Sequence, residues 1–280
     1  MFLYIIAILI RSFGFRMPRR LLYPLATSVA SIMYLVMPEA RRNAKENMRR
    51  VLGPGSTRWQ INKATWQAFH NLGRYGADFV RDHRKLEGRI TFSGWEHLDN
   101  ALADGKGAIL VGLHMGSWEL GAMTIAKRRY PMNVLVDKVY TEGFSKWVQK
   151  MRSKFGMKVI AVNDGTPRMF RALRNNELLA ILVDAPKHAK LHVNFCNSRA
   201  KAPGGPAALA LRTGAKIIPA GVFRASGNKF KGWFQEPLSF EPSGDFKKDV
   251  QELTQRIMDT LEQTLKTHPE QWFMFRKMWA

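Results

Sequence analysis

The sequence predicts an α/β fold, with a largely parallel central sheet flanked by helices and with membrane-associated helices at the N-terminus. Short apolar runs alternate with amphipathic segments along the chain, which is the pattern of strands joined by crossover helices. Hydrophobic residues make up 46% of the 280 residues and charged residues 24%, an ordinary globular mixture. Two apolar runs stand among arginines near the N-terminus. We therefore expect one folded domain over residues 41–280 and an N-terminal anchoring or interfacial segment over residues 1–40.

The N-terminal runs suit the surface of a membrane better than its interior. Residues 21–37 carry no charge but contain Pro24, and 17 residues fall short of the roughly 20 that a spanning helix needs. The run is flanked by Arg19, Arg20, Arg41 and Arg42. Cations on both sides are typical of a helix that lies in an anionic interface. A buried helix pair is the alternative. A signal peptide over residues 1–10 would need a small-residue cleavage site, and arginines follow instead.

The remaining elements follow in order. Residues 53–55 interrupt the helical pattern. Ser56 is then positioned to cap a long helix with an apolar face from Trp59 to Val80. Apolar runs predict strands at residues 108–113, 133–136, 158–162, 178–183 and 215–223. Amphipathic patterns predict helices at residues 142–155 and 167–174, and a last helix over residues 250–265 that stops before Pro269.

The formal net charge of +22, from 44 Lys and Arg against 22 Asp and Glu, predicts anionic partners. Nucleic acid, anionic lipid and acidic carrier proteins all satisfy this condition. The basic residues are scattered over nearly every segment rather than clustered with aromatic residues, so we do not expect nucleic acid. The single cysteine, Cys196, excludes a disulfide within the chain and suits a reducing compartment.

The segment from Gly107 to Glu119 is the strongest candidate for chemistry. An apolar strand leads directly into His114, so the imidazole is expected at the carboxyl end of a strand, where open α/β sheets bind their ligands. Gly116 and Ser117 permit a tight turn into a helix whose first turn contains Glu119. We predict that Glu119 contacts His114 and fixes its tautomer for general-base chemistry. Backbone N–H groups at the helix start could stabilise an oxyanion.

The same residues allow other interpretations. His114 could be a core histidine with Glu119 a solvated acid at a helix start. A zinc protease would need two histidines four residues apart on one helix, and Ser117 lacks the G-x-S-x-G context of a nucleophile elbow. Cys196 could act as a thiol nucleophile, although a cysteine of this kind is more often a small buried hydrophobe. No metal is implied.

Several motifs in order, from about residue 40 to the end, resemble one family. The sequence is similar to bacterial lipid A late acyltransferases of the lauroyl and myristoyl type, to the related phosphatidylinositol mannoside acyltransferases, and to the lysophospholipid acyltransferase superfamily. The motifs are His114-x4-Glu119, Arg152-x3-Gly156, Pro167-Arg168-x2-Arg-Ala-Leu-Arg, Leu182-Val-Asp184, Val193-Asn-Phe195, Pro203-Gly-Gly-Pro followed by Pro219, and Pro269-Glu-Gln-Trp272 with Trp279. The lipid A pattern is not kept at eight positions: Ala185, Pro186, Cys196, Asn197, Met274, Arg276, Lys277 and Met278.

The resemblance implies transfer of a fatty acyl chain from a thioester, on acyl carrier protein or coenzyme A, to a hydroxyl of a membrane glycolipid such as a lipid A precursor or a mannosylated phosphoinositide. The thioester is a substrate, and no cofactor is expected. His114 would be the general base and Glu119 its orienting acid.

Four further residues are candidates for substrate binding. The resemblance implies that Asp137 lines the acceptor pocket. Arg152, and with less support Arg168, could bind a phosphate or sugar oxygen through the planar guanidinium. Asp184, at a strand end, could orient backbone, cap a helix or bind the acceptor. Each arginine could equally be one more member of a basic face, and Asp137 a surface charge.

The expected location is the bacterial cytoplasmic (inner) membrane, with the catalytic domain on the cytoplasmic side. Two alternatives remain open. One is a basic membrane- or nucleic-acid-binding protein in which His114 is structural. The other is a glycerophospholipid acyltransferase, against which the Pro269-Glu-Gln-Trp272 element argues by resemblance.

Overall fold

A computed structural model describes residues 17–80, 88–136, 142–162, 165–184 and 189–280. Its helices are α1 Arg19–Val36, α2 Pro38–Leu52, α3 Arg58–Val80, α4 Trp95–Ala103, α5 Trp118–Lys127, α6 Glu142–Lys154, α7 Thr166–Arg174, α8 Gly205–Thr213 and α9 Phe246–Thr267. Its strands are β1 Ile90–Ser93, β2 Ala108–Gly112, β3 Met132–Val136, β4 Lys158–Ala161, β5 Leu178–Leu182, β6 Leu191–Phe195, β7 Ser198–Ala202, β8 Lys216–Arg224 and β9 Phe230–Phe234. A short 3-10 turn, Pro269–Gln271, follows α9.

The central sheet has seven strands in the order β1-β9-β8-β2-β5-β3-β4. All neighbouring pairs are parallel except β8 and β9, which are antiparallel. Strands β6 and β7 form a separate antiparallel hairpin. The predicted α/β fold with a largely parallel sheet is therefore confirmed.

Helices cover both faces of this sheet, and its central strands are therefore buried on both sides. Every residue of β2 is buried. Ile109 and Val111 face the core beneath α7, α8 and α9, while Ala108 and Leu110 face the core beneath α4 and α5. The continuous apolar run of β2 thus reflects two packed faces rather than one.

The five strands predicted from apolar runs are present with ends shifted by one residue or less. Strands β1, β6, β7 and β9 and helix α4 were not predicted, because they are short and half-exposed and so lack a continuous apolar run. The predicted cap of the long helix was wrong. Thr57 caps it, since the Gln60 N–H donates to Thr57 Oγ1 at 3.2 Å and the Thr57 N–H donates to Gln60 Oε1 at 2.7 Å.

The N-terminal helices pack on the domain and hold its C-terminal segment. Helix α1 lies against α3 through Leu22, Ala26 and Ala77. The Asn47 amide on α2 donates to the carbonyl oxygen of Met274 at 2.7 Å, and the Trp279 indole donates to Asn47 Oδ1 at 2.7 Å. The boundary predicted at residue 40 falls inside α2, and the division into two segments stays a prediction.

Helices α1, α2 and α3 form what we name the N-terminal layer, and α1 exposes apolar side chains on its outer side. Leu21, Leu25, Ile32 and Leu35 of α1 are 48–65% exposed. Trp59, predicted to lie on the core side of the long helix, is 66% exposed and lies under Lys63 Nζ at 4.7 Å. In the described part of the chain no single helix has the length and apolar character to cross a membrane. Helices α1 and α2 meet those criteria only when taken together, and they are bent by 95°.

Candidate active site

The register of two parallel strands brings His114 and Asp184 together. Strands β2 and β5 are neighbours, and Gly112 pairs with Leu182 at their carboxyl ends. The Val183 N–H donates to the Gly112 carbonyl oxygen at 2.9 Å, which extends the pairing by one step. His114 and Asp184 each follow their strand by two residues, so the same register places them side by side.

Asp184 binds His114 through both carboxylate oxygens. Oδ1 lies 2.7 Å from His114 Nδ1, and Oδ2 accepts the His114 backbone N–H at 2.9 Å. Oδ2 also accepts the Trp272 indole N–H at 2.7 Å. The Asp184 side chain is completely buried. Burial alone would raise the pKa of this carboxyl, but His114 and the donated hydrogen bonds hold it below its usual range. Asp184 is therefore an ionised, buried carboxylate.

These contacts determine the state of the imidazole. A carboxylate can only accept hydrogen bonds, so His114 Nδ1 carries the proton and, in the neutral ring, Nε2 is left with its lone pair. Burial lowers the pKa of His114, but the Asp184 carboxylate outweighs that effect and raises it above its ordinary value. Among the described residues Nε2 has no hydrogen-bond partner, and the side chain is 32% exposed. This is the arrangement of a general base held by a buried acid.

The contact predicted between Glu119 and His114 is not present among the described residues. Glu119 is buried in the first turn of α5 and accepts hydrogen bonds from Arg152 Nε at 3.1 Å and from Arg152 Nη2. Helix α5 begins at Trp118, after the turn, and this carries Glu119 to the side facing α6. The orienting acid of His114 is thus Asp184, and Glu119 forms an ion pair that joins α5 to α6.

The C-terminal segment is hydrogen-bonded to the loop that carries His114. The Gly116 N–H donates to the Gln271 carbonyl oxygen at 2.9 Å, and the Phe273 N–H donates to the His114 carbonyl oxygen at 2.9 Å. Trp272 pairs with Met115 as an isolated antiparallel bridge, and its side chain is fully buried. Trp272 is therefore a core residue that also fixes the Asp184 carboxylate.

The turn after His114 requires glycine at one position. Gly116 has φ of 61°, and a Cβ on it would lie 1.9 Å from the Val222 carbonyl oxygen on β8. The Ser117 N–H donates to that same oxygen at 2.9 Å. Because the Gly116 and Ser117 amides are occupied, the amides left for an oxyanion at this helix start belong to the first turn of α5.

Aromatic side chains and a small apolar cavity lie beside His114. The Trp118 ring meets the imidazole edge-on at 5.4 Å between centroids and stacks on Tyr75 at 4.3 Å. Leu113 and Met115, on either side of His114 in the chain, line an apolar cavity of about 40 Å³ that Trp118 also contacts. The Trp118 ring therefore gives the imidazole an aromatic neighbour and also borders the cavity, whereas His114 itself is not among the residues that line it.

The other predicted residues lie elsewhere. Asp137 lies outside the described residues. Arg168 is exposed on α7, and its guanidinium donates to the Val159 carbonyl oxygen at 3.2 Å on edge strand β4, three strands or about 14 Å from β2. Within the described residues no group of three His, Cys, Asp or Glu side chains could hold a metal ion.

Cys196 does not have the environment of a nucleophile. The residue is fully buried beside the hairpin turn between β6 and β7. Burial, followed by the Glu262 carboxylate, raises the pKa of its thiol to about 12. The thiolate is therefore scarce at neutral pH, and the interpretation of Cys196 as a small buried hydrophobe is the one that the structure supports.

Comparison with known proteins shows the family of the chain. The profile of the family described as bacterial lipid A biosynthesis acyltransferase matches residues 1–280. The chain belongs to this family. It is also similar to proteins named phosphatidylinositol mannoside acyltransferase, at 27% identity over 84% of this chain and 76% of the Mycobacterium tuberculosis protein (strain H37Rv). The Mycolicibacterium smegmatis protein of that name is 23% identical over 95% of this chain and 89% of its own length.

Membership of the lipid A biosynthesis acyltransferase family confirms the resemblance found in the sequence. The sequence predicts His114 as the base and Asp184 as an acid at a strand end, but it does not predict that the two are in contact. One feature of the sequence indicates that His114 and Asp184 lie close together. Both residues follow an apolar strand, and strand ends in a parallel sheet meet at one edge. The sequence does not predict that β2 and β5 are neighbours in the sheet, because β3 and β4 lie between them in the chain.

Proposed function

We propose that this family member transfers a fatty acyl group from an acyl thioester, on acyl carrier protein or coenzyme A, to a hydroxyl of a membrane glycolipid. The observation on which the proposal rests is the His114–Asp184 pair, in which Nδ1 is bound to a buried carboxylate and Nε2 is left to accept a proton. Acyl transfer to an alcohol needs a base of this kind, because a neutral hydroxyl is a poor nucleophile.

The proposed reaction is direct. His114 Nε2 removes the proton from the acceptor hydroxyl as its oxygen attacks the thioester carbonyl carbon. The first-turn amides of α5 stabilise the resulting oxyanion. The intermediate collapses to an ester when the C–S bond breaks, and the thiolate takes the proton back from the imidazolium. No covalent acyl-enzyme forms, and the net products are an acylated glycolipid and a free thiol.

Asp184 supplies the electrostatic part of this mechanism. The imidazolium that forms during attack is stabilised by a carboxylate at 2.7 Å that is held in place by three donors. Because the site around Asp184 is buried, that stabilisation is stronger than it would be in water. Glu119 and Arg152 contribute by fixing α5 against α6, and a direct role of Arg152 or Arg168 in binding the substrate stays a prediction.

The glycolipid acceptor is supported by the names of the family and of the relatives. The relatives are named for a mannosylated phosphoinositide and the family for lipid A. Both acceptors are sugars on a lipid, with hydroxyl groups at the membrane surface. The proposal therefore specifies a sugar hydroxyl and leaves both glycolipids as candidates.

The proposal includes a location at the cytoplasmic side of the bacterial inner membrane, where acyl carrier protein and coenzyme A are present. Exposed leucines and an isoleucine on α1 support it, and so does the net charge of +22. A basic protein is attracted both to anionic lipid and to an acidic acyl carrier.

The direct test is acylation of a glycolipid by the purified protein, followed by mass spectrometry of the product. We expect wild-type protein to add one acyl chain per turnover and His114→Ala to be slower by at least about 10²-fold, the usual contribution of a general base. His192→Ala, which removes an exposed histidine from β6, is the matched control and should keep wild-type turnover. Wild-type rates in His114→Ala would exclude the mechanism.

The acceptor is tested in cells. Glycolipids extracted with and without the protein should differ by the mass of one acyl chain, on lipid A or on a mannosylated phosphoinositide. A change confined to glycerophospholipids would instead assign the chain to glycerophospholipid acylation.

A further inference from the structure

A buried group of charged residues lies beyond the His114 site at the end of β8. We name it the Arg19 cluster, and it consists of Arg19, Tyr23, Asp78 and Arg224. Arg224 Nη2 donates to Asp78 Oδ2, and the Tyr23 hydroxyl donates to Asp78 Oδ1 at 2.7 Å. Arg19 Nη2 lies 4.0 Å from Asp78 Oδ1, within ion-pair range but beyond a hydrogen bond. The side chains of Arg19, Asp78 and Arg224 are 12%, 6% and 11% exposed.

The charges of the Arg19 cluster do not balance. Two guanidinium groups share the single carboxylate of Asp78. Tyr23 cannot supply the missing negative charge, because burial and the neighbouring Asp78 raise the pKa of its hydroxyl. Among the residues that the structure describes, one positive charge therefore remains uncompensated in a place where water has little access, and buried charges are normally paired.

The hydrogen bonds of Arg19 are incomplete at one particular edge. Its Nε and Nη2 are buried, and within the part of the chain that the structure describes they are the buried side-chain nitrogens and oxygens with no hydrogen-bond partner. The N–H bonds of Nε and Nη2 lie parallel on one side of the planar guanidinium. That edge binds two oxygens of one phosphate or carboxylate group at once.

The Arg19 cluster lies at the same end of the sheet as His114. The Arg224 N–H donates to Gln271 Oε1 at 2.8 Å, and the Gln271 carbonyl oxygen accepts the Gly116 N–H. Strands β8 and β2 are parallel neighbours, so their carboxyl ends open on one edge. A molecule with its hydroxyl at His114 could therefore extend a second polar group toward Arg19.

We propose that the Arg19 cluster is a binding site for a phosphate group, two of whose oxygens accept from Nε and Nη2 of Arg19. The phosphate supplies both the missing negative charge and the missing acceptors. The phosphate could belong to a lipid headgroup or be free in solution. The first source rests on the proposed function, since a membrane-lipid acceptor would present a headgroup phosphate near the reacting hydroxyl.

The test uses the whole protein and inorganic phosphate as the probe, with ionic strength held constant by chloride. Thermal unfolding and calorimetric titration should show saturable stabilisation of the wild type. Arg19→Gln should bind phosphate at least about tenfold more weakly, because it loses a charge-assisted bidentate contact. Arg20→Gln, which removes the exposed neighbouring arginine, should bind as the wild type does. Absence of saturable binding to the wild type, or equal binding by Arg19→Gln, would overturn the proposal.

The stability of the variants separates a binding defect from a folding defect. Without phosphate, Arg19→Gln should be at least as stable as the wild type, because it removes a buried cation that shares its single described carboxylate with Arg224. If Arg19→Gln fails to fold, Arg19→Lys keeps the charge and removes the planar fork, and it should also bind phosphate more weakly. Phosphate affinity equal to the wild type in a folded Arg19→Lys would overturn the bidentate assignment.

Two further probes identify the source of the phosphate. Tighter binding of sn-glycero-3-phosphoinositol than of inorganic phosphate, lost in Arg19→Gln, assigns the site to a lipid headgroup, and the reverse order assigns it to free phosphate. Acetate binding as tight as phosphate would show a carboxylate site and contradict the proposal. No acyl donor is present in these measurements, so they test phosphate binding alone. Phosphate binding can fail while acyl transfer holds, and acyl transfer can fail while phosphate binding holds.

Discussion

At the scale of single residues, the behaviour of His114 is decided by the carboxylate that faces it. Asp184 has no exposed surface. Its oxygens accept one hydrogen bond from the His114 ring, one from the His114 backbone and one from the Trp272 indole. Breaking such a buried set by removing one partner leaves the others unpaired, which costs more than the loss of a surface contact. Asp184 is thus the residue whose substitution should report most directly on the site.

Asp184→Asn should lower the maximal acylation rate by about 10²–10⁴-fold, because an amide neither fixes the tautomer nor stabilises the imidazolium. It should also move the pH profile. Asp184 raises the pKa of His114 above its ordinary value of 6.5, so wild-type kcat/KM should increase as pH rises through a value above 6.5. Without the carboxylate that pKa falls, and the acid limb moves to lower pH.

The comparison for this prediction is Glu119→Gln. If Glu119 were the orienting acid, that variant would shift the acid limb, and Asp184→Asn would leave it in place. We expect the opposite, since Glu119 binds Arg152. Measuring kcat/KM against pH for both variants decides between the two acids.

At the scale of elements, the loop from His114 to Ser117 is held between β8 and the C-terminal segment. The Gly116 and Ser117 amides donate in opposite directions, to Gln271 and to Val222. This explains why the Pro269-Glu-Gln-Trp272 element, far along the chain, belongs to the site. Its backbone is hydrogen-bonded to the loop from His114 to Ser117, and its Trp272 side chain binds Asp184.

Gly116→Ala tests how tightly this loop is packed. The added methyl group would overlap the Val222 carbonyl oxygen, so the loop must move and both stability and acyl transfer should fall. Gly105→Ala is the matched control, because Gly105 has a similar φ of 71° with no atom within 4 Å of its Cβ position. Gly105→Ala should cost about 1 kcal/mol of unfolding free energy from backbone strain alone.

The measurement is the free energy of unfolding together with the turnover of each glycine variant. Gly116→Ala should lose more stability than Gly105→Ala and should lose activity as well. Equal losses in the two variants, with turnover preserved, would show that the close approach to Val222 does not matter.

At the scale of the whole molecule, the N-terminal layer combines a buried face and an exposed apolar face. Leu22 and Ala26 of α1 pack on α3, whereas Leu21 and Leu35 are 61% and 65% exposed. An apolar stripe on an arginine-flanked helix is typical of a helix that lies in a membrane interface. The same layer contributes Arg19 and Tyr23 to the Arg19 cluster. We therefore expect the proposed phosphate site to lie close to the membrane surface.

Leu35→Glu should weaken binding to vesicles of phosphatidylglycerol and phosphatidylcholine by about tenfold, because it puts a charge into the apolar contact. Phe246→Glu is the control. Phe246 is 40% exposed but lies on α9, where its ring packs under Arg212 of α8, and its substitution should leave vesicle binding unchanged. Sedimentation with vesicles measures both, and equal binding of all three proteins would argue against α1 as the contact surface.

The alternation of strands and helices can be read from the sequence alone, as can the position of His114 after β2 and the family. These depend on local patterns, because apolar runs, glycine turns and short motifs are read along the chain. The three-dimensional packing establishes that Asp184, rather than Glu119, faces His114, that Trp272 supports it, and that Arg19 and Arg224 share one carboxylate. Each of these contacts joins residues 59 or more positions apart. Strand order and helix packing bring them together, and neither is encoded in the spacing of any one segment.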